Sequence, residues 1–171
     1  MTLRRTILFS FCIVAGLIII SCSSNAGQND FERQSLRTPS GYTHTNQKGQ
    51  VDSSMVDPDD WRIAPMFQGY VYVSTPAYPN PVKSDIVTIE LQVTGIQAIN
   101  GMYLYKRNVN GQYQLLSSQP QAPLPTGLVY FSFNSVSLSD NNTYAGAIGL
   151  HRVFIYDNNN NLITYGDIKV E

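Results

Sequence analysis

The chain is poor in the residues that usually carry chemistry. It has only two histidines and two cysteines in 171 residues, and 13% of it is charged. Cys12 lies inside the N-terminal apolar stretch, so loss of that stretch leaves Cys22 as the only thiol. That excludes an internal disulfide and a thiolate metal cluster. His44 and His151 stand far apart, no glycine-rich phosphate loop follows a strand, and no Gly-x-Ser-x-Gly elbow occurs. Nothing places a nucleophile, a base and an orienting group together, so catalysis is not expected and neither is a cofactor. Asp57, Asp59 and Asp60 bring carboxylates close together, but Pro58 and the missing Gly and Glu break the calcium-loop pattern. A solvated turn is expected there instead of a metal site. Asp85 and Glu90 sit five apart on one strand and face opposite ways, which rules them out as a carboxylate pair. There is no basic excess that would suit nucleic acid.

What is present begins with a leader. Arg4 and Arg5 precede an apolar stretch from Ile7 to Ile20, short of the about 20 residues that a membrane span needs. It closes on Ile19-Ile20-Ser21-Cys22. These four residues resemble the lipobox of bacterial lipoproteins: two aliphatic positions, a small residue, then Cys. The resemblance implies cleavage before Cys22, a diacylglycerol on its sulfur and an acyl chain such as palmitate on its new amine. Two or more chains hold a protein firmly at a bilayer. Ser23 and Ser24 follow, and by the same resemblance they imply the outer membrane.

The remainder divides in two. From residue 22 to about 62 Ser, Asn, Gln, Gly, Thr and Asp dominate without period-2 or period-3.6 hydrophobicity, which predicts a flexible tether. Residues 63–171 alternate in short runs broken by turn residues, which predicts an all-β sandwich. Seven strands are expected: Met66–Ser74, Asp85–Thr94, Met102–Arg107, Gln112–Ser117, Gly127–Asn134, Thr143–Asp157 and Leu162–Val170. Pro76, Pro79 and Pro81 are expected to stop the first ladder.

Leu138, Asp140 and Tyr144 lie in a spacing that resembles the tyrosine corner of immunoglobulin and fibronectin type III sandwiches. The resemblance implies that Tyr144 opens the sixth strand and that its hydroxyl bonds to backbone upstream. Gly146 stands where antibody domains carry a Cys, and Met102–Arg107 resembles strand C of fibronectin type III modules, so the fibronectin-like branch is expected. Tyr78-Pro79-Asn80-Pro81 resembles the opening of type IX secretion sorting domains, which implies secretion cargo or machinery as an alternative role. Eleven tyrosines are the main functional clue. Tyr70 with Tyr72, and Tyr103 with Tyr105, alternate along strands and predict an amphipathic platform for protein or glycan contact. The expectation is therefore a lipid-anchored, non-enzymatic envelope module that meets other envelope proteins or glycans.

Overall fold

Alternation of apolar and polar side chains builds the sheets. In β2 (Ile86–Val93), Val87, Ile89, Leu91 and Val93 are buried, while Thr88, Glu90 and Gln92 between them are partly exposed. This is the period-2 signature of a strand with one wet face. The computed structural model, which describes residues 26–171, arranges seven strands in two antiparallel sheets. Besides β2 these are β1 (Val71–Tyr78), β3 (Met102–Arg107), β4 (Tyr113–Gln119), β5 (Gly127–Asn134), β6 (Gly149–Asp157) and β7 (Leu162–Val170). One sheet runs β1-β2-β5 and the other β4-β3-β6-β7. With β4 beside β3, the sandwich follows the fibronectin-like branch.

Register supplies the core. Val87 lies opposite Phe133, Ile89 opposite Phe131 and Leu91 opposite Val129 in the first sheet; Leu104 lies opposite Ile155 in the second. All eight of these side chains are buried, each worth about 1.5–3 kcal/mol for an aliphatic or Phe side chain.

Three expectations need correction. The first strand begins at Val71, because Pro65–Phe67 forms a 3-10 turn, and it continues through Pro76 to Tyr78 with register shifts after Val73 and Thr75. β1 is an edge strand, where a missing N–H is tolerated. The sixth strand begins at Gly149, and no tyrosine corner forms. Thr143 caps a short helix, Tyr144–Ala147, its hydroxyl accepting the Gly146 N–H at 3.1 Å. The Tyr144 hydroxyl donates to the main-chain oxygen of Glu171.

The third correction concerns the tether. The chain divides into two units, Met1–Arg37 and Thr38–Glu171. In the first, residues 26–35 are helical. Side-chain bonds four residues apart support them, from Gln28 to Glu32 at 2.9 Å and from Gln34 to Asp30 at 2.7 Å. In the second unit, residues that lack any apolar period fold onto the edge of β7. The Trp61 N–H donates to Tyr165 O and the Ala64 N–H to Ile163 O, both at 2.8 Å; further along, the Val82 N–H donates to Lys169 O at 2.9 Å. An open strand edge invites pairing with another chain, and these two segments close it.

Polar side chains hold the seal. Buried Asn80 donates to Thr43 O at 3.0 Å and to Asp167 O at 2.9 Å, and accepts the Lys169 N–H at 2.9 Å. Asp60 accepts the N–H groups of Thr43 at 2.7 Å and Asp167 at 2.9 Å. Arg152 forks onto Asp167 at 2.7 and 2.6 Å. Trp61, at φ 59°, turns its ring against Gly166, where a Cβ would fall inside the ring system. Among the described residues its indole N–H finds no partner, a cost of about 1–3 kcal/mol. The ring is still only 7% exposed, so apolar burial outweighs that cost.

Burial, and then the negative charge of Asp167, push the Asp60 carboxyl up to about 7, against the pull of its two N–H donors. The folded chain therefore keeps a proton that the unfolded chain releases near its ordinary value of 3.8. Stability from this group is full below that value and falls as pH climbs to about 7. Asp167, also raised by burial, acts in the same direction, whereas His151, lowered by burial, acts in the opposite one. Asp60→Asn, whose single amide oxygen can accept from only one of Thr43 and Asp167, should lower the urea midpoint at pH 4.5 and should flatten its decline between pH 4.5 and 8. Equal slopes in the two proteins would contradict this electrostatic reading.

Candidate functional site

The outer face of the four-stranded sheet carries a dense cluster of aromatic rings. Residues two apart on a strand share a face, which aligns Tyr103 with Tyr105 on β3 and Phe154 with Tyr156 on β6. Antiparallel register then sets Tyr103 opposite Tyr156 and Tyr105 opposite Phe154. β4 adds Tyr113, opposite Arg107. The centroids of Tyr105 and Tyr113 lie 6.3 Å apart, those of Tyr105 and Tyr156 6.1 Å, and those of Tyr113 and Tyr156 5.7 Å. All three contacts are edge-on, at 82°, 69° and 83°. Edge-to-face is the geometry that ring quadrupoles favour. Tyr113 also stands edge-on to buried Phe154 at 5.4 Å, which fixes the cluster to the core.

Between these rings lies a concavity of about 340 Å³ lined by Tyr105, Tyr113, Tyr156 and Asn160. The Tyr156 hydroxyl donates to that of Tyr113 at 3.2 Å. Asn160 sits in the β6–β7 turn at φ 62°, a conformation Asn tolerates well. Asp157 braces that turn, accepting the N–H groups of Asn159 and Asn161 at 2.8 Å each. Tyr103 stacks beside Tyr105 at 6.5 Å and reaches Asn158.

The tyrosines expected to form one platform divide between the two sheets. Tyr103 and Tyr105 join the cluster just described. Tyr72 is exposed on β1, in the other sheet, and Tyr70 is half-buried in the turn before it. Pattern reading along single strands missed Tyr113 and Tyr156, because only the β3–β4 and β3–β6 registers bring them together. The Phe154–Tyr156 alternation was the available signal. Cys22 lies outside the described residues.

Other groups are tied into structure. His151 Nε2 lies 2.7 Å from Ala147 O. Buried Lys106 donates from Nζ to Ser139 O at 2.5 Å and faces Asp140 at 3.3 Å. Asp57 accepts the Asp59 N–H at 2.9 Å, so the acidic stretch is spent on its own backbone and on the β7 seal. Among the described residues, no group of three or more His, Cys, Asp or Glu is placed to hold a metal ion.

No family model matches the chain, and no curated relative matches it. Solved structures do match. One is a crystal structure of an LPMO from Kitasatospora papulosa, at 12% identity and TM-score 0.35, covering 53% of this chain and 49% of that one. Another is a polysaccharide monooxygenase CBM33, at 10% identity and TM-score 0.36, covering 60% of this chain and 64% of that one. The chain thus spans about half of the first and under two thirds of the second. Both are named as enzymes, and on that finding the expectation that this chain is not an enzyme is withdrawn. The likeness assigns no substrate and no reaction to it.

On the outer face of the three-stranded sheet, Glu90 accepts the hydroxyls of Tyr78 at 2.6 Å and Thr75 at 2.9 Å. That hydrogen bond to Glu90, with burial and the Glu90 charge, pushes the Tyr78 phenol up to about 12. An alkaline titration of phenol absorbance should therefore show one late-titrating tyrosine that Glu90→Gln returns to the ordinary range. A titration unchanged by that substitution would show that Glu90 does not hold the proton.

Proposed function

We propose that this chain is a lipid-anchored cell-envelope protein whose sandwich is a binding module. The anchor rests on Arg4, Arg5, the apolar stretch after them and Ile19–Cys22; among the described residues no helix is long and apolar enough to cross a membrane. The observation that carries the binding role is the tyrosine concavity. Three half-exposed or exposed phenol rings share one face and present hydroxyls beside an amide. Tyrosine offers large, rigid contact area at small entropic cost and is enriched where proteins meet partners. The outer membrane is the membrane this reading favours, and envelope proteins or glycans are the partners.

The alternative role in type IX secretion rests on Tyr78–Pro81. Asn80 in that stretch is fully buried and locks β7 to residue 43, a structural task that needs no secretion signal.

Two measurements test the proposal. Wild-type chain should take up an alkyne fatty acid and Cys22→Ala should not; a wild-type chain without label would end the anchor claim. Unlipidated Cys22→Ala protein, added back to stripped envelopes, should co-sediment with them. Adding Tyr105→Ala and Tyr156→Ala should cut that retention by about tenfold, the scale of a binding hot spot. Equal retention would remove the tyrosine face from the binding role.

A further inference from the structure

We infer that the concavity between β3, β4 and the β6–β7 turn is a subsite for a neutral saccharide. The inference rests on the binding role proposed above and names the chemistry that its surface selects. None of the four residues lining the concavity is charged. A phosphate, an acidic segment or a basic segment would find no counter-charge among these four residues, and the neighbouring Arg107, opposite Tyr113, turns its Nε to Gly111 O at 3.2 Å. The floor is aromatic carbon, with Tyr105 and Tyr113 edge-on at 82°, so a flat apolar ligand face can lie against one ring while its edge meets the other.

The rim is polar and neutral. The hydroxyls of Tyr113 and Tyr156 stand together at 3.2 Å, and Asn160 adds an amide with two donors and an acceptor. A purely apolar ligand would cover the Asn160 amide and the Tyr113 hydroxyl without replacing the hydrogen bonds that water gives them, at about 1–3 kcal/mol each. A ligand with one apolar face and a girdle of hydroxyls satisfies both floor and rim, and a neutral sugar ring has that form. A volume of 340 Å³ sits at the small end of the about 300–1,000 Å³ range of ligand sites, which suits one or two rings of a longer chain. Tyr103, stacked on Tyr105 at 6.5 Å with its hydroxyl at Asn158, continues the same composition beyond the concavity. That gives a chain of sugar units a path along β3.

The test uses the unlipidated Cys22→Ala protein and four probes, cellopentaose, laminaripentaose, maltopentaose and chitopentaose, with a proline-rich peptide as the competing aromatic-groove ligand. At least one oligosaccharide should shift the Asn160 side-chain amide signal and the tyrosine ring signals saturably. Tyr105→Ala should weaken that binding at least tenfold, Asn160→Ala should weaken it, and Tyr72→Ala on the opposite sheet should leave it unchanged. An amide spectrum of each variant that matches the parent confirms folding. Tyr156→Phe, which keeps the ring, serves as the milder variant should Tyr105→Ala unfold, and should weaken binding less than tenfold. The inference is overturned if none of the four sugars shifts these signals, if the peptide alone does, or if sugar binding survives in every site variant. Envelope retention that still depends on Tyr105 and Tyr156, without sugar binding, would overturn the sugar assignment and leave the binding role standing.

Discussion

β7 ends a four-stranded sheet, and its outward N–H and C=O groups must find partners for the sandwich to stay a single closed body. Two segments distant in sequence supply them, residues 61–64 and residues 80–82. In these segments Trp61, Ala64 and Val82 are buried. Their hold comes from one large ring, Trp61, and from side chains that bond backbone: Asp60 bridges Thr43 and Asp167, and Asn80 bridges Thr43, Asp167 and Lys169. The Arg152–Asp167 fork sits within this network with both side chains nearly buried, at 9% and 1% exposure. Buried pairs of this kind specify one arrangement more than they add net stability.

The seal also decides which part of the sheet is left for function. Tyr165 and Asp167 of β7 are covered; Arg62 lies over the Tyr165 ring and donates to its hydroxyl at 2.6 Å. The tyrosines of β3, β4 and β6, farther from that edge, stay half-exposed or exposed. One end of the sheet's outer face is thereby structural, and the other keeps its aromatic surface open. Phe154, buried beneath Tyr113, ties that open surface to the core, so the rings are preorganised and little ordering entropy is lost on binding.

Much of the sandwich was legible from residue pattern. Strands β3, β5 and β7 have the bounds expected, and β2 differs by one residue at each end; β2, β3 and β5 alternate buried with exposed or half-buried side chains, whereas β7 is buried on both faces. The misses have local causes. Tyr144 stands in a spacing that suits a corner, but Thr143 caps a helical turn first and delays β6 to Gly149. Residues 38–62 read as a spacer because a segment held by single polar side chains and turns has no hydrophobic period to detect. Pairing by hydrogen bonds to a distant strand leaves no mark in local composition. For the site, Tyr103 and Tyr105 were visible on one strand, whereas Tyr113 and Tyr156 join them only through register, a property of strand pairs.

Native-state hydrogen exchange of the unlipidated chain tests the β7 seal most directly. If residues 61–64 and 80–82 are part of the folded body, the amides of Trp61, Ala64 and Val82 should be protected on the scale of β6 amides such as Ile155 and open only with them. Exchange of those three amides at unprotected peptide rates, with β6 still protected, would show that the edge is open and that the folded unit begins after them.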